Sequence, residues 1–172
     1  MVEGLKAKVR DVPNFPKDGI LFKDITTLLS DSEAYRKAID SLAQNYAGKE
    51  IDLVVGVEAR GFIISAALSY KLGAGLVLIR KPGKLPYHTN RAEYTLEYGT
   101  DELEMHKDAI NPGQKVLIAD DLLATGGTIT AAADLVKMLQ GDIVGMCFLL
   151  ELTFLNGRER LKGYDVFSLI QY

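Results

Sequence analysis

Residues 116–130 read Val116-Leu117-Ile118-Ala119-Asp120-Asp121-Leu122-Leu123-Ala124-Thr125-Gly126-Gly127-Thr128-Ile129-Thr130. The four apolar residues Val116 to Ala119 predict a buried parallel strand. Two adjacent acids, Asp120 and Asp121, follow where that strand would end. A short loop then enters Thr125-Gly126-Gly127-Thr128, which opens an Ala-rich segment, Ile129 to Leu139, that reads as a helix. Ligands of open α/β sheets bind beyond the carboxyl ends of the strands. Glycines let backbone approach closely, N–H groups at a helix start form an anion site, and threonine hydroxyls add donors. Two carboxylates one loop earlier can accept hydrogen bonds from vicinal hydroxyls. A sugar phosphate answers both halves. Singly, the acids would read as a solvated loop and the Thr-Gly-Gly-Thr run as a plain helix start. Their conjunction behind a buried strand favours a site. No Gly-x-x-x-x-Gly-Lys-Ser/Thr and no Gly-x-Gly-x-x-Gly after a strand is present, so P-loop and dinucleotide readings lose support.

Outward from the motif, strands alternate with helices. Leu53 to Val57 reads as a short buried strand, Arg60 to Leu72 as a helix closed by Gly73, and Leu76 to Ile79 as the next strand. Ser30-x-x-Glu33 is a capping-box signal before a helix reaching about Ala47. Ile143 to Leu152 and Val166 to Ile170 read as strands, with a short helix near Arg158 to Leu161 and a turn at Asn111-Pro112-Gly113-Gln114. That alternation predicts an α/β fold with a doubly wound, mainly parallel sheet flanked by helices. Residues 3–10 suit a short amphipathic helix, and residues 13–27, with Pro13, Pro16 and Gly19, irregular chain with one extended piece. Residues 80–92 carry prolines and a glycine without periodicity, and a loop of that length is usually functional or mobile. Tyr94 to Glu97 and Glu102 to His106 flank Gly99-Thr100-Asp101, which predicts a hairpin turning there. No repeat, linker or low-complexity tract interrupts residues 1–172, so one domain is expected.

Composition narrows the classes. The 172 residues are 48% hydrophobic and 25% charged, as in ordinary globular proteins. A net charge of −3 gives no global reason to bind nucleic acid or membrane. Positive charge is local, at Arg80, Lys81 and Lys84, a pattern suited to a small polyanion. Cys147 sits in an apolar run and reads as a buried, inert thiol. With one cysteine and no signal peptide, the cytoplasm is the expected compartment. No apolar stretch approaches a membrane span. His88 and His106 lack metal-ligand spacing and read as a loop residue and the polar side of a strand.

The motif closely resembles the 5-phosphoribosyl 1-diphosphate (PRPP) motif of type I phosphoribosyltransferases. Its Leu-Leu-Ala-Thr-Gly-Gly-Thr run is very similar to the version in adenine phosphoribosyltransferases. Asn14-Phe15-Pro16-Lys17-Asp18-Gly19-Ile20-Leu21-Phe22-Lys23-Asp24-Ile25-Thr26 resembles the N-terminal signature of that family. Val57-Glu58-Ala59-Arg60-Gly61-Phe62 resembles its pyrophosphate loop, and Ile79 to Pro86 with Tyr94 to Gly99 the two ends of its mobile loop. Thr27 stands where the family often has proline, and Tyr87-His88-Thr89-Asn90 matches no fixed pattern.

The resemblance implies a purine-salvage transferase: adenine and PRPP give AMP and pyrophosphate with Mg²⁺, in a homodimer, by way of an oxocarbenium-like transition state. Residues 1–30 would form a small hood over the base, and residues 80–106 a mobile loop and hairpin flap. Asp120 and Asp121 would face the ribose hydroxyls and hold Mg²⁺ directly or through water. Ala124, Thr125, Gly126, Gly127 and Thr128 would wrap the 5′-phosphate. Glu58, Ala59 and Arg60 would meet the pyrophosphate, with a non-proline cis peptide between Glu58 and Ala59. Arg80 would reach a neighbouring subunit's pyrophosphate and Lys84 its own. Glu97 would act as acid/base at the purine, and Tyr98 after it would contact substrate. Phe22 would stack on the base, with the backbone of Leu21 and Lys23 reading its edge and Leu155 covering the other face. Two alternatives remain: a transferase for another 6-substituted purine, and a PRPP- or purine-sensing regulator on the same fold.

Overall fold

The computed structural model describes residues 2–96 and 99–172, and only the backbone of Thr95, Leu96 and Gly99. In chain order the elements are α1 (Val2–Lys6), β1 (Arg10–Pro13), β2 (Leu21–Asp24), α2 (Thr26–Ser30), α3 (Ser32–Gln44), β3 (Leu53–Val57), α4 (Gly61–Leu72), β4 (Gly75–Ile79), β5 (Thr89–Leu96), β6 (Gly99–His106), β7 (Lys115–Leu123), α5 (Gly127–Met138), β8 (Asp142–Glu151) and β9 (Val166–Gln171). Two short 3₁₀ helices, Thr153–Leu155 and Gly157–Leu161, bridge β8 and β9.

Five strands pair in parallel in the order β4-β3-β7-β8-β9. Along β7 the side chains alternate. Leu117 and Ala119 enter the core shared with α3 and α4, while Val116 and Ile118 enter the core shared with α5. A strand buried on both faces needs the near-continuous apolar run seen in its sequence. With α4 on one face and α5 on the other, the sheet is doubly wound as expected. From β3 the chain winds outward to β4, and from β7 it winds the other way to β8 and β9. The order therefore reverses between β3 and β7, and a crevice opens at their carboxyl ends. Glu58 follows β3 there, and Asp120 and Asp121 come from β7.

Several boundaries differ from the sequence reading. Asp120 and Asp121 do not follow the strand; they lie inside β7, with Asp120 opposite Phe148 and Leu123 opposite Glu151. Ser30 caps nothing. It ends α2, and Asp31 caps α3 by accepting from the N–H groups of Glu33 and Ala34. Gly99-Thr100-Asp101 is not a turn but the start of β6, paired with Leu96, Thr95 and Tyr94. The first helix stops at Lys6 and the chain is extended by Arg10. Of the long segment, Thr89 onward is strand. His106 lies in β6 on the face opposite the core residues Leu103 and Met105, as expected, and its Nε2 is buried without a hydrogen-bond partner among the described residues. Gly73, in the left-handed region at φ 68°, does close α4 as the sequence suggests.

Candidate active site

β7 carries the two acids into the crevice. Asp120 is 8% exposed and Asp121 5%. Asp120 fits because Gly61 opens α4 beside it: a Cβ on Gly61 would stand 2.4 Å from Asp120 Oδ1. Asp120 Oδ1 accepts the Asp121 N–H at 2.8 Å. Asp121 Oδ2 lies 2.9 Å from Arg60 Nε, yet it accepts no hydrogen bond among the described residues. The contact is an ion pair with its acceptor directions still open. A buried acceptor left open costs stability, so a ligand hydroxyl, a water or a cation at that oxygen would be favoured.

Burial pushes the Asp120 carboxyl well above the usual carboxylate range, and the neighbouring Asp121 charge pushes it further. Asp121 is raised less, since Arg60 opposes its burial. A raised carboxyl binds protons more tightly in the folded protein than in the unfolded chain. Stability is then lost as pH rises from about 4 through the folded value, and stays lost above it. Asp120→Asn is therefore expected to raise the thermal midpoint of the ligand-free protein at pH 7, with the gain shrinking as pH falls towards about 4. Thermal unfolding at both pH values checks this, and a lower midpoint at pH 7 would contradict it.

Downstream of β7, the loop bends at Gly126 (φ 85°), which is the N-cap of α5. No side chain caps α5, and no acid stands in its first turn. Its leading N–H groups thus remain available to an anion. A cavity of about 70 Å³ lies here, lined by Asp120 and by Leu122 through Ile129. Larger surface hollows, such as one of about 340 Å³ beside Leu5, Lys8 and Asp31, lie outside this crevice.

The other sequence-predicted residues gather in two groups. Arg60, at the N-cap of α4, spans from Asp121 to Phe22, its guanidinium carbon 5.1 Å from the Phe22 ring centre. Phe15 packs edge-on against Phe22 at 5.0 Å. Phe22 is half-buried in β2 and belongs to neither core. Phe22, Arg60 and the Asp120–Asp121 pair are thereby contiguous. The Lys23 ammonium donates to Asp11 at 2.6 Å and rests 4.0 Å from the Tyr172 ring centre. Leu21 and Leu155 are exposed.

The second group surrounds Glu58, whose bond to Ala59 is cis. Arg80 donates to both Glu58 oxygens, Nη2 to Oε1 at 2.9 Å and Nε to Oε2 at 3.2 Å, and the Lys81 N–H joins at 3.0 Å. The Arg80 guanidinium holds the Glu58 carboxyl below the usual range. Arg80 Nη1 also donates to the Lys84 carbonyl at 3.1 Å. Within this chain the Arg80 fork is engaged by Glu58 and the Lys84 carbonyl. The loop is fastened to the hairpin as well. Lys81 pairs with Asp101, Tyr94 donates to Asp101, and the Gly83 N–H donates to the buried Glu104. Glu97 and Tyr98 lie outside the described residues.

Sequence reasoning missed Glu104, Gly61 as the partner of Asp120, and Gly157, which presses on the Ala124–Gly126 loop. Gly61 stood in a quoted motif, but its role needs a contact 59 positions away, which no local pattern displays.

Comparison with known proteins decides the family. A profile for the "Phosphoribosyl transferase domain" matches residues 26–170. The adenine phosphoribosyltransferase of Trichlorobacter lovleyi is 61% identical over 99% of this chain and 100% of its own, and that of Geotalea daltonii is 63% identical over the same shares. This chain belongs to the adenine phosphoribosyltransferase family. Solved adenine phosphoribosyltransferases superpose closely. The Thermoanaerobacter pseudethanolicus enzyme matches with a TM-score of 0.98 at 54% identity, covering 100% of both chains. The Saccharomyces cerevisiae enzyme, complexed with D-2,5-dideoxy-2,5-imino-altritol 1,6-bisphosphate and adenine, matches at 0.92 and 40%, covering 98% of this chain and 97% of its own.

Family membership implies Mg²⁺, and the acid pair fits it. Carboxylate oxygens are the hard ligands Mg²⁺ prefers, and Asp121 Oδ2 is buried and open. Among the described residues no three His, Cys, Asp or Glu gather into a cage of their own. The ion would need waters and substrate phosphates to complete its shell, which is how Mg²⁺ usually binds.

Proposed function

We propose that this enzyme transfers the 5-phosphoribosyl group of PRPP to adenine, giving AMP and pyrophosphate with Mg²⁺. The observation that carries the reading is the crevice at the β3/β7 reversal. It holds two buried acids, one with an open oxygen, beside an uncapped helix start and a small cavity. The family and the adenine-bound yeast relative support the choice of base.

Each group has a task. Asp120 and Asp121 accept from the ribose hydroxyls and would hold Mg²⁺ directly or through water. The Ala124 to Thr128 loop and the α5 amides seat the 5′-phosphate. Arg60 and the Glu58-Ala59 turn face the pyrophosphate, with Lys84 from the loop. Phe22 stacks on adenine, the Leu21 and Lys23 backbones read its edge, and Leu155 covers the far face. When bound, Mg²⁺ would neutralise charge on the departing pyrophosphate. Adenine's ring nitrogen bonds to the anomeric carbon as the bond to pyrophosphate breaks, and the nitrogen's proton passes to Glu97. Mixing enzyme, PRPP and adenine should form AMP. Chelation should abolish that and added Mg²⁺ restore it. Absence of AMP from a folded, Mg²⁺-supplied enzyme would reject the reading.

Arg60 offers a planar fork that lysine cannot copy. Arg60→Lys is expected to raise the KM for PRPP far more than the KM for adenine. Varying each substrate in turn tests this, and equal effects would indicate a structural role.

We also propose a homodimer. β4 is the edge of the sheet and exposes Leu76 and Leu78, while α4 exposes Ile63 and Tyr70. Open sheet edges and apolar patches of this kind are usually covered, and twofold pairing is the commonest solution. A copy docked there would lie beside Arg80, which leaves β4 directly. Release of Arg80 from Glu58 would let it serve that neighbour. Sedimentation should give twice 18.9 kDa; a fully active 18.9 kDa species would contradict it. Purine salvage fits the cytoplasm, and no helix among the described residues is long and apolar enough to cross a membrane.

A further inference from the structure

The segment after β8 runs behind the phosphate loop and touches it through bare backbone. A Cβ on Gly157 would stand 2.2 Å from the Ala124 carbonyl oxygen, and a Cβ on Gly126 would stand 2.7 Å from the Gly157 carbonyl oxygen. Neither side of this contact has room for a side chain. The Leu152 N–H donates to the Leu123 carbonyl at 3.0 Å, joining the same two segments just before the loop begins.

An ion pair holds that segment in place. Glu151 ends β8, is 3% exposed and lies opposite Leu123 in the parallel register. Arg158, the residue after Gly157, donates from Nε to both Glu151 oxygens at 2.8 and 3.0 Å and from Nη2 to Oε2 at 2.8 Å. Its Nη1 donates to the Val166 carbonyl at 2.9 Å and its Nη2 to Ser168 Oγ at 3.3 Å, which reaches across to β9. Gln171 Nε2 adds a long contact to Glu151 at 3.4 Å. Burial pushes the Glu151 carboxyl up, but hydrogen bonds from Arg158 and Ser168 outweigh it and leave the group below its usual range. The pair thus stays charged and fixes Gly157 by a planar, multidentate grip. Neither Glu151 nor Arg158 lines the phosphate cavity.

We propose that the Glu151–Arg158 pair is a positioning clamp for the 5′-phosphate subsite. By seating Gly157 against Ala124 and Gly126, it sets the curvature of the loop whose amides receive the phosphate. The inference rests on the function proposed above. Loosening the clamp lets the loop relax away from its ligand, and displacement of a binding group by about 1 Å can cost on the order of a hundredfold.

The test measures the dissociation constant of ribose 5-phosphate by calorimetry, and steady-state kinetics with PRPP, in Gly157→Ala, Arg158→Ala and Arg158→Lys. Gly157→Ala leaves the ion pair in place and pushes directly on Ala124, so it tests the contact even if Arg158→Ala does not fold. Folded Gly157→Ala and Arg158→Ala should each weaken ribose 5-phosphate binding by about tenfold or more and raise the KM for PRPP in step, while kcat at saturating PRPP stays within about threefold. Arg158→Lys should fall between, since lysine restores charge but not the fork. Ribose 5-phosphate binding within about twofold of the parent in either folded alanine variant would overturn the clamp alone, by the same scale. A parent enzyme that fails to bind ribose 5-phosphate at all would overturn the functional reading and the clamp with it.

Discussion

Replacing Glu97 by glutamine is expected to lower kcat by about 10²–10⁴-fold, the range in which general acid–base catalysis acts. Neutral adenine carries a proton on the ring nitrogen that attacks the anomeric carbon, and that proton must leave as the new bond forms. In the function proposed above, Glu97 takes that proton. The surrounding chain supports delivery of such a group. β5 ends at Leu96 and β6 begins at Gly99, and the two strands pair as a hairpin. That hairpin is tied to the basic loop by Arg80 and Glu104, whose N–H and C=O groups bond reciprocally at 3.0 and 2.7 Å, and by Lys81 with Asp101. Loop and hairpin would therefore move together over PRPP, shielding the reacting centre and carrying the carboxylate in. Glutamine keeps the shape and removes the base, so kcat should fall while the KM for PRPP changes little. Glu97→Ala should behave alike. Retention of more than about a tenth of kcat by both variants would assign the proton to another acceptor, on the scale usual for a general base.

Asp121→Asn is expected to cost about a hundredfold in kcat/KM, comparable to losing one preorganised electrostatic group. Asp121 is 5% exposed, faces Arg60 at 2.9 Å and keeps Oδ2 open. A carboxylate there can accept from a ribose hydroxyl or bind the Mg²⁺ shell while holding Arg60 near the leaving group. The amide keeps the volume and loses both the charge and an acceptor oxygen. Its fold should survive, because the parent carboxyl is already raised by burial and a neutral group suits that position better. A folded variant with kcat/KM near the parent value would remove Asp121 from the mechanism.

The parts legible in the sequence were those carried by local pattern. Val116 to Ala119 displays a strand buried on both faces, Gly73 a helix end, and Thr125-Gly126-Gly127-Thr128 the start of a helix. What escaped depends on partners far along the chain. β7 runs on through Asp120 and Asp121 because β8 offers a ladder to Phe148 and Glu151, and polar residues seldom announce such an extension. Gly99 looks like a turn residue, yet pairing with Leu96 recruits it into β6. Ser30 and Asp31 both suit a cap; the neighbouring α2 absorbs Ser30 and leaves Asp31 to α3. Arg80 reads as a free basic residue until β4 and β3, pairing side by side, bring it to Glu58. Glu151, Gly157 and Arg158 carried no motif, and their relation to the phosphate loop exists only once β8 lies beside β7.

The most direct test is pyrophosphate release from PRPP by purified enzyme with Mg²⁺, measured separately with adenine, hypoxanthine, guanine and xanthine. The phosphate loop, the acid pair and Arg60 would serve any purine, so only the base panel isolates the segment around Phe22. Rapid release with adenine, and release with the three oxopurines no faster than without base, is the predicted result. Turnover of hypoxanthine, guanine or xanthine at a rate matching adenine, or no adenine-dependent release, would contradict it.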